Sequence, residues 1–321
     1  MNTTLIEIDN LAKTLILENY GTTSPELLAL YERAKSRQWN ATTELPWDET
    51  LLPADAITDP TLLTLYGTPE FEAMSTQQRA DYNRRESAWV LSQFLHGEQA
   101  SLLACGQLMA SLPEMDAKFY AASQGYDEAR HVEVYRKYLL ERLGLVYPPT
   151  ENLEFITQTA LGSPEWTMKL VGTQLVVESL AMGAFKTLLD ASRDPLLKKL
   201  LMYVMQDEAR HVAFGRIALL HAIAGIDERE RADYEDFVYY SCEVMARGFV
   251  PLPVYEECGV VLTPELEEAI HSSAQRQAFR RDLFSVLIPH AKAVGLLTER
   301  IRPRYELLGI LHFESEHVIS A

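Results

Sequence analysis

The sequence predicts an all-α protein. Three observations carry this reading. Apolar and polar residues nowhere alternate over more than a few positions, so the period-two signature of a half-buried strand is missing. Four long segments open on helix-start patterns or close at proline or glycine. And the pentapeptide Asp-Glu-Ala-Arg-His occurs twice, at 127–131 and 207–211, 80 positions apart. Each copy sets Glu and His at i and i+3, on one helical face.

The elements follow in order. Residues 1–22 read as irregular or a short helix. Ser24-Pro25-Glu26 is an N-cap followed by Pro at the first helical position, opening a short helix to about Arg37. Residues 38–73 contain Pro46, Pro53, Pro60 and Pro69 and read as a wrapping segment with room for one short helix. Ser75-x-x-Gln78 is a capping box; it opens the first long helix, which runs to Ala110 and is broken by Pro113. The second runs from about Glu114 to Leu143 and stops at Gly144, with Pro148 and Pro149 beyond. A short helix follows at 151–160. Ser163-Pro164 opens the third long helix, 165–191, and Asp194-Pro195 the fourth, 195–223, ending near Gly225. A further helix spans 228–247, Pro251 and Pro253 mark an irregular stretch to 262, Thr263-Pro264 opens a helix to about 287, and shorter helices at 290–308 lead into the tail. The organisation expected is a wrapping segment with a short helix (1–74), a bundle (75–225) and C-terminal helices packed on the same domain (226–321).

Composition narrows the function. The chain has 321 residues, 47% hydrophobic, and a net charge of −17. That excess of acid excludes nucleic acid as a partner and a polybasic membrane patch. Cys105, Cys242 and Cys258 are isolated, with no CxxC pair for zinc or thiol redox chemistry. No run of 18 apolar residues occurs, and Met1–Asn10 has neither the basic nor the apolar part of a leader, so the expectation is a soluble, cytoplasmic protein with no membrane partner.

One Glu-x-x-His is half of a metal site; two are a dinuclear one if two further carboxylates stand at their level. In an antiparallel hairpin turning at Pro113, the residue level with Glu128 is Glu98. Across the turn near Arg193, the residue level with Glu208 is Glu178. Both gaps are 30 residues, which places each set about 22 Å from its turn. Glu178 lies among Leu175, Val176, Val177, Leu180 and Ala181. A carboxylate there is costly unless paired, and four glutamates meeting in one core require cations. The candidate metal ligands are therefore Glu98, Glu128, His131, Glu178, Glu208 and His211. An all-oxygen and nitrogen set without thiolate favours iron or manganese over zinc. Asp127 and Asp207 precede the ligand glutamates and are placed to orient the ligand histidines of the opposite helix. Arg130 and Arg210 balance them.

These residues resemble the ferritin-like di-iron carboxylate superfamily, whose signature of Glu, ExxH, Glu and ExxH on four helices maps onto the six positions without a gap. The resemblance covers roughly residues 75–225. It implies a ferritin-like four-helix bundle with additional flanking helices, a cofactor of two Fe cycling between Fe2+ and Fe3+ or a Mn/Fe pair, O2 as co-substrate, and a homodimer. Among the branches, the arylamine N-oxygenases carry a seventh ligand, a histidine one turn before the second ExxH; here that residue is Val204, which counts against that branch. The ligand-binding oxidases cross-link a tyrosine just before the third Glu; the corresponding stretch, Val171-Gly172-Thr173-Gln174, has none. The reductase small subunits place a radical tyrosine four residues after the first His, which is Tyr135. They also dock through a tail tyrosine, whereas the last tyrosine here is Tyr305.

The function expected is an O2-dependent oxidase or oxygenase of a small or elongated, mostly apolar organic molecule, through hydroxylation, desaturation or a related oxidation. Its electrons come from an external reductase or ferredoxin, because the chain has no flavin or iron–sulfur motif. The substrate pocket expected lies on the ligand faces around Phe94, Leu95, Ser101, Leu102, Gln174, Ala181, Met182 and Gly215. The alternatives are a ribonucleotide-reductase-like radical subunit using Tyr135, a ferroxidase or metal-handling protein, and a metal-free helical interaction protein.

Overall fold

The computed structural model describes residues 6–18, 20–49 and 57–316. Among these there is no strand, and only one isolated bridge, Thr58 to Ser192, pairs extended backbone. Several helices begin where the capping residues put them, although Ser163 caps none: the segment after it starts at Trp166 behind an uncapped Glu165. Ser24 Oγ accepts the amide of Leu27 to open α1 (Pro25–Ser36). Thr68 caps the short α2 (Pro69–Ala73). The Ser75–Gln78 capping box is formed at the head of α3 (Thr76–Ser111), whose 36 residues make it the longest helix, about 54 Å at 1.5 Å per residue. Helix α4 (Met115–Lys137) returns beside α3 and passes into a π-helical turn, Tyr138–Leu143, that closes on Gly144 at φ +67°. That left-handed conformation suits glycine.

After α5 (Glu151–Gly162), a short α6 (Trp166–Lys169) runs into a second π-helical stretch, Leu170–Val177, and then into α7 (Glu178–Ala191). The sequence pattern shows one unbroken helix here. A π turn rotates everything after it relative to an α-helix, and Glu178 is the first residue after it. Such turns recur at functional sites. Asp194 caps α8 (Pro195–Ile223). Helices α3, α4, α7 and α8, with the π stretch before α7, form the bundle; α1 lies across α4 and α8, and α5 and α9 (Glu228–Gly248) cover the π stretch.

Two C-terminal expectations need correction. The stretch 251–262 contains a helix, α10 (Leu252–Glu257). The helix opened by Thr263 stops at Ser272, and Ser273, in extended conformation with its hydroxyl accepting from the Arg276 amide, starts another. These are α11 (Pro264–Ser272) and α12 (Ala274–Ala293); Ser273 is followed by neither a proline nor a Glu or Gln at the third helical position, so the sequence pattern reads through the break. Helix α13 (Arg302–Leu307) follows. No helix among the described residues is long and apolar enough to cross a membrane.

Helix α12 packs along α7, and the contact depends on Gly183. A Cβ at Gly183 lies 2.2 Å from the carbonyl oxygen of Asp282 and 2.7 Å from Leu283 Cα. Backbone cannot step aside as a side chain can. We expect Gly183→Ala to force the helices apart and cost about 3 kcal/mol; a thermal melt that matches the parent protein would refute this account of the packing.

Candidate metal centre

Four helices bring the six predicted ligands to one level. Glu98 comes from α3, Glu128 and His131 from α4, Glu178 from the head of α7, and Glu208 and His211 from α8. All six are buried, none exposing more than 5% of its surface. Their donor atoms fall into two groups of four, each within 4.8 Å: Glu98, Glu128, His131 and Glu208, and Glu128, Glu178, Glu208 and His211. Glu128 and Glu208 belong to both groups, which is the arrangement of bridging carboxylates between two cations.

The histidines are oriented reciprocally. His131 turns Nδ1 toward Glu208 (3.0 Å), Glu98 (3.2 Å) and Glu128 (3.4 Å), and holds Nε2 against Asp207 at 3.2 Å. His211 turns Nδ1 toward Glu208 (2.9 Å) and Glu128 (3.2 Å), and holds Nε2 against Asp127 at 3.3 Å. Each repeat's aspartate thus receives the other repeat's imidazole. An N–H donated to a carboxylate leaves Nδ1 as a lone pair aimed into the cluster. The guanidinium of Arg130 pairs with both Asp127 (2.6 Å) and Asp207 (2.9 Å), and that of Arg210 with the same two residues.

Electrostatics asks for cations. Burial, with Glu208 and Glu128 nearby, pushes Glu98 well above its ordinary range, and burial with Glu208 does the same to Glu178. Burial and Glu178 raise Glu128 to about 6. Burial also opposes the charged form of Glu208, but His211, Glu178 and His131 together hold it well below the usual carboxylate value. Against burial, Glu98 and Asp207 raise His131, and Glu208 and Glu128 raise His211. Glu98 Oε1, Glu128 Oε2 and Glu208 Oε1 are buried without any hydrogen-bond partner. Orphaned carboxylate oxygens facing two imidazole nitrogens fit a pair of divalent ions, whose charges offset the four glutamates.

Comparison with known proteins decides the family. A sequence model of the family P-aminobenzoate N-oxygenase AurF matches residues 22–295. The chain belongs to the AurF family. It is accordingly an oxidoreductase of the O2-dependent, di-iron type. The fold agrees: a variant of an R2-like ligand-binding oxidase with a Mn/Fe cofactor superposes with a TM-score of 0.54 at 16% identity, covering 85% of this chain and 94% of that one. A second variant of such an oxidase gives a TM-score of 0.53 at 14% identity, over 85% and 95% of the two chains. At these identities the likeness is one of fold. No curated protein matches the chain significantly in sequence. AurF family membership overturns the inference drawn from Val204. A match over most of the chain outweighs one position. Val204 itself is wholly buried among core side chains, and with no lone pair it adds no donor.

The pocket expectation needs revision. A recess borders Glu98 and Glu178 and is lined by Phe94, Ser101 and Ala181 among the expected residues. Leu95, Leu102, Gln174, Met182 and Gly215 do not line it. Gly215 makes no room there because Gln174 fills the space; a Cβ on Gly215 meets Gln174 Cβ at 2.7 Å. Ser101 does more than line the wall, since its hydroxyl donates to Glu178 Oε1 at 2.9 Å. Tyr135 is buried with its hydroxyl unpartnered and its ring against Phe94 and Phe185.

Sequence reasoning missed three residues at the cluster, one of them Gln38, which donates to Asp127 at 3.0 Å. Gln124 donates to Glu128 Oε1 (2.9 Å) and Glu178 Oε1 (3.3 Å). It stands one turn before Glu128, so helical spacing could have found it. Trp39 donates its indole N–H to Asp207 at 2.7 Å. It lies in the wrapping segment, and no local pattern announces it.

A second recess lies beside the first and contains Glu86. Burial raises Glu86 to about 7, although Thr64 donates to both of its oxygens. A glutamate raised in the folded state binds a proton there that the unfolded chain releases, so its contribution is lost as pH rises from about 4.5 to 7. We expect Glu86→Gln to flatten the decline of stability with pH across that window, by up to about 3 kcal/mol at its upper end. Urea melts of both proteins at pH 5 and 7.5 measure it; parallel pH profiles would contradict the assignment.

Proposed function

We propose that Glu98, Glu128, His131, Glu178, Glu208 and His211 hold two iron ions, or a Mn/Fe pair, and that the protein oxidises a small or elongated, mostly apolar organic substrate lying in the recess beside Glu98 and Glu178. The observation that carries this is the pair of four-donor groups sharing Glu128 and Glu208 and opening on that recess. The metals supply the O2 chemistry when bound: one oxygen atom goes to the substrate and the other leaves as water, with two electrons and two protons from outside. The chain positions and shields. Asp207 and Asp127 fix the imidazole rings, Ser101 and Gln124 hold the Glu178 carboxylate, and Phe94, Phe185 and Leu283 line the substrate's space and keep it dry. The two electrons come from a separate reductase or ferredoxin. The same proposal places the protein in the cytoplasm as a homodimer.

Loading with Fe(II) under nitrogen, followed by O2 with and without candidate substrates, tests the reading. Substrate-dependent O2 uptake with an oxidised product is expected; accumulation of ferric iron alone would make the protein a ferroxidase. A second reading is favoured by the buried, unpartnered hydroxyl of Tyr135, which burial and then Glu98 hold well above the ordinary phenol value. A tyrosyl radical signal that disappears in Tyr135→Phe would establish a radical subunit instead.

A further inference from the structure

The recess beside the metal centre and the recess containing Glu86 share the walls Phe94, Ala184, Phe249 and Phe279. The two recesses adjoin across these four side chains, and apolar residues dominate the lining of both. One is walled by Leu153, Ile156, Val177 and Phe185 around Glu98 and Glu178. The other sets Thr64, Glu86, Ser87 and Arg276 among its apolar residues.

Arg276 is the notable group. It exposes 6% of its surface and is the only cationic side chain among the described residues lining either recess. Its guanidinium lies 5.2 Å from the Phe279 ring centre and 5.9 Å from that of Phe249. Nε and Nη2 have no hydrogen-bond partner. These two nitrogens form one edge of the guanidinium fork, the edge onto which both oxygens of a carboxylate fit. Glu86 does not fill this place: its oxygens accept from the Thr64 amide (2.8 Å) and hydroxyl (3.1 Å). A buried guanidinium with a free bidentate edge is costly, and an anion delivered by a ligand removes the cost.

We propose that Arg276 receives the carboxylate of an elongated apolar monocarboxylate, whose far end extends past Phe94 toward Glu98 and Glu178. The orientation rests on the oxygenase reading above; the anion site itself does not. A monoanion is favoured over a phosphate dianion because Glu86 lines the same recess.

The test uses the metal-loaded, air-oxidised protein with no reductant, so no turnover is required. Octanoate, octanol and octyl phosphate are titrated by calorimetry while the metal absorption is followed. Octanoate should bind about 10- to 100-fold more tightly than octanol, the range of a charge-assisted bidentate contact, and should leave the absorption unchanged. Arg276→Met should abolish this preference while retaining octanol binding, and Arg276→Lys should restore part of it. Arg276→Met removes an unpaired buried charge, so its melting temperature should not fall. Glu86→Gln should strengthen octanoate binding; if Arg276 serves only to balance Glu86, binding does not improve and the proposal fails. It fails also if the preference survives in Arg276→Met, if octanoate perturbs the metal absorption equally in both proteins, if octyl phosphate binds more tightly than octanoate through Arg276, or if wild type shows no preference. None of these results bears on O2 uptake, so the oxygenase reading stands or falls separately.

Discussion

Changing Glu208 to alanine should strip both ions from the protein. Glu208 belongs to both four-donor groups, as does Glu128, whereas Glu98 and Glu178 each belong to one. Loss of a shared carboxylate removes a donor from each position and one of the four charges that the ions offset. Loss of Glu98 weakens one position and leaves Glu128, Glu178, Glu208 and His211 intact. Metal analysis after anaerobic loading should therefore give about two ions per chain for the parent, about one for Glu98→Ala, and well under one for Glu208→Ala or Glu128→Ala. O2 consumption should fall to background in the shared-ligand variants. A graded effect is the informative outcome, because equal losses from all four glutamates would mean that the carboxylates do not divide into bridging and terminal positions. Asp207→Asn offers a milder comparison. It leaves the six donors in place but replaces the charged acceptor of His131 Nε2 by a neutral amide, and changes to outer hydrogen-bond partners of this kind cost 10- to 100-fold in metal affinity.

Removing the metals from the intact protein should lower its melting temperature by roughly 15 °C at pH 7.5. An ion present at a thousand times its Kd stabilises by about 4 kcal/mol, and a chain of this size loses about 2 °C per kcal/mol. The deficit should also grow with pH. Without metals, Glu98 and Glu178 sit well above their ordinary range and Glu128 sits at about 6. The folded form then keeps protons that the unfolded chain gives up, so stability falls as pH climbs from about 4.5 through the folded values. His131 and His211 are raised too, and their contribution, complete below about 6.5, is likewise lost as pH climbs. Glu208 and Asp207 are lowered; they are ionised in both states above about pH 5 and add no slope there. Metal binding requires the deprotonated ligands, so the metal-loaded form should hold its stability where the metal-free form loses it. Calorimetric melts of both forms at pH 5.5, 6.5 and 7.5 measure the gap. A gap that stays constant or narrows toward high pH would show that the glutamates are not relieved by cations.

Much of the centre was legible in the chain because each half of it is local. Glu and His three apart share a helical face whatever surrounds them, and a hairpin turn marked by Pro113 or by Asp194-Pro195 fixes which residues stand level. Ser24, Ser75, Asp194 and Thr263 cap the helices that their side chains announce. The crossing of Asp127 to His211 and of Asp207 to His131 needed only the knowledge that the two repeats face each other.

The substrate space was not legible in this way. Gln174 and Gly215 were placed near the ligands by counting turns, yet the π-helical stretch 170–177 rotates the first and close packing lets the first fill the gap left by the second. Phe249, Phe279 and Arg276 come from α12 and the end of α9, far from the bundle in sequence, and the break at Ser273 that starts α12 reads as uninterrupted helix in the sequence pattern.

The chain's own order of residues determined the helices, the hairpin levels and the six donors, because these depend on spacing along one or two neighbouring helices. Tertiary structure alone decided where space remains and which polar groups face it. A cavity belongs to the side chains that fail to fill it, and those arrive from elements whose mutual packing no local periodicity records.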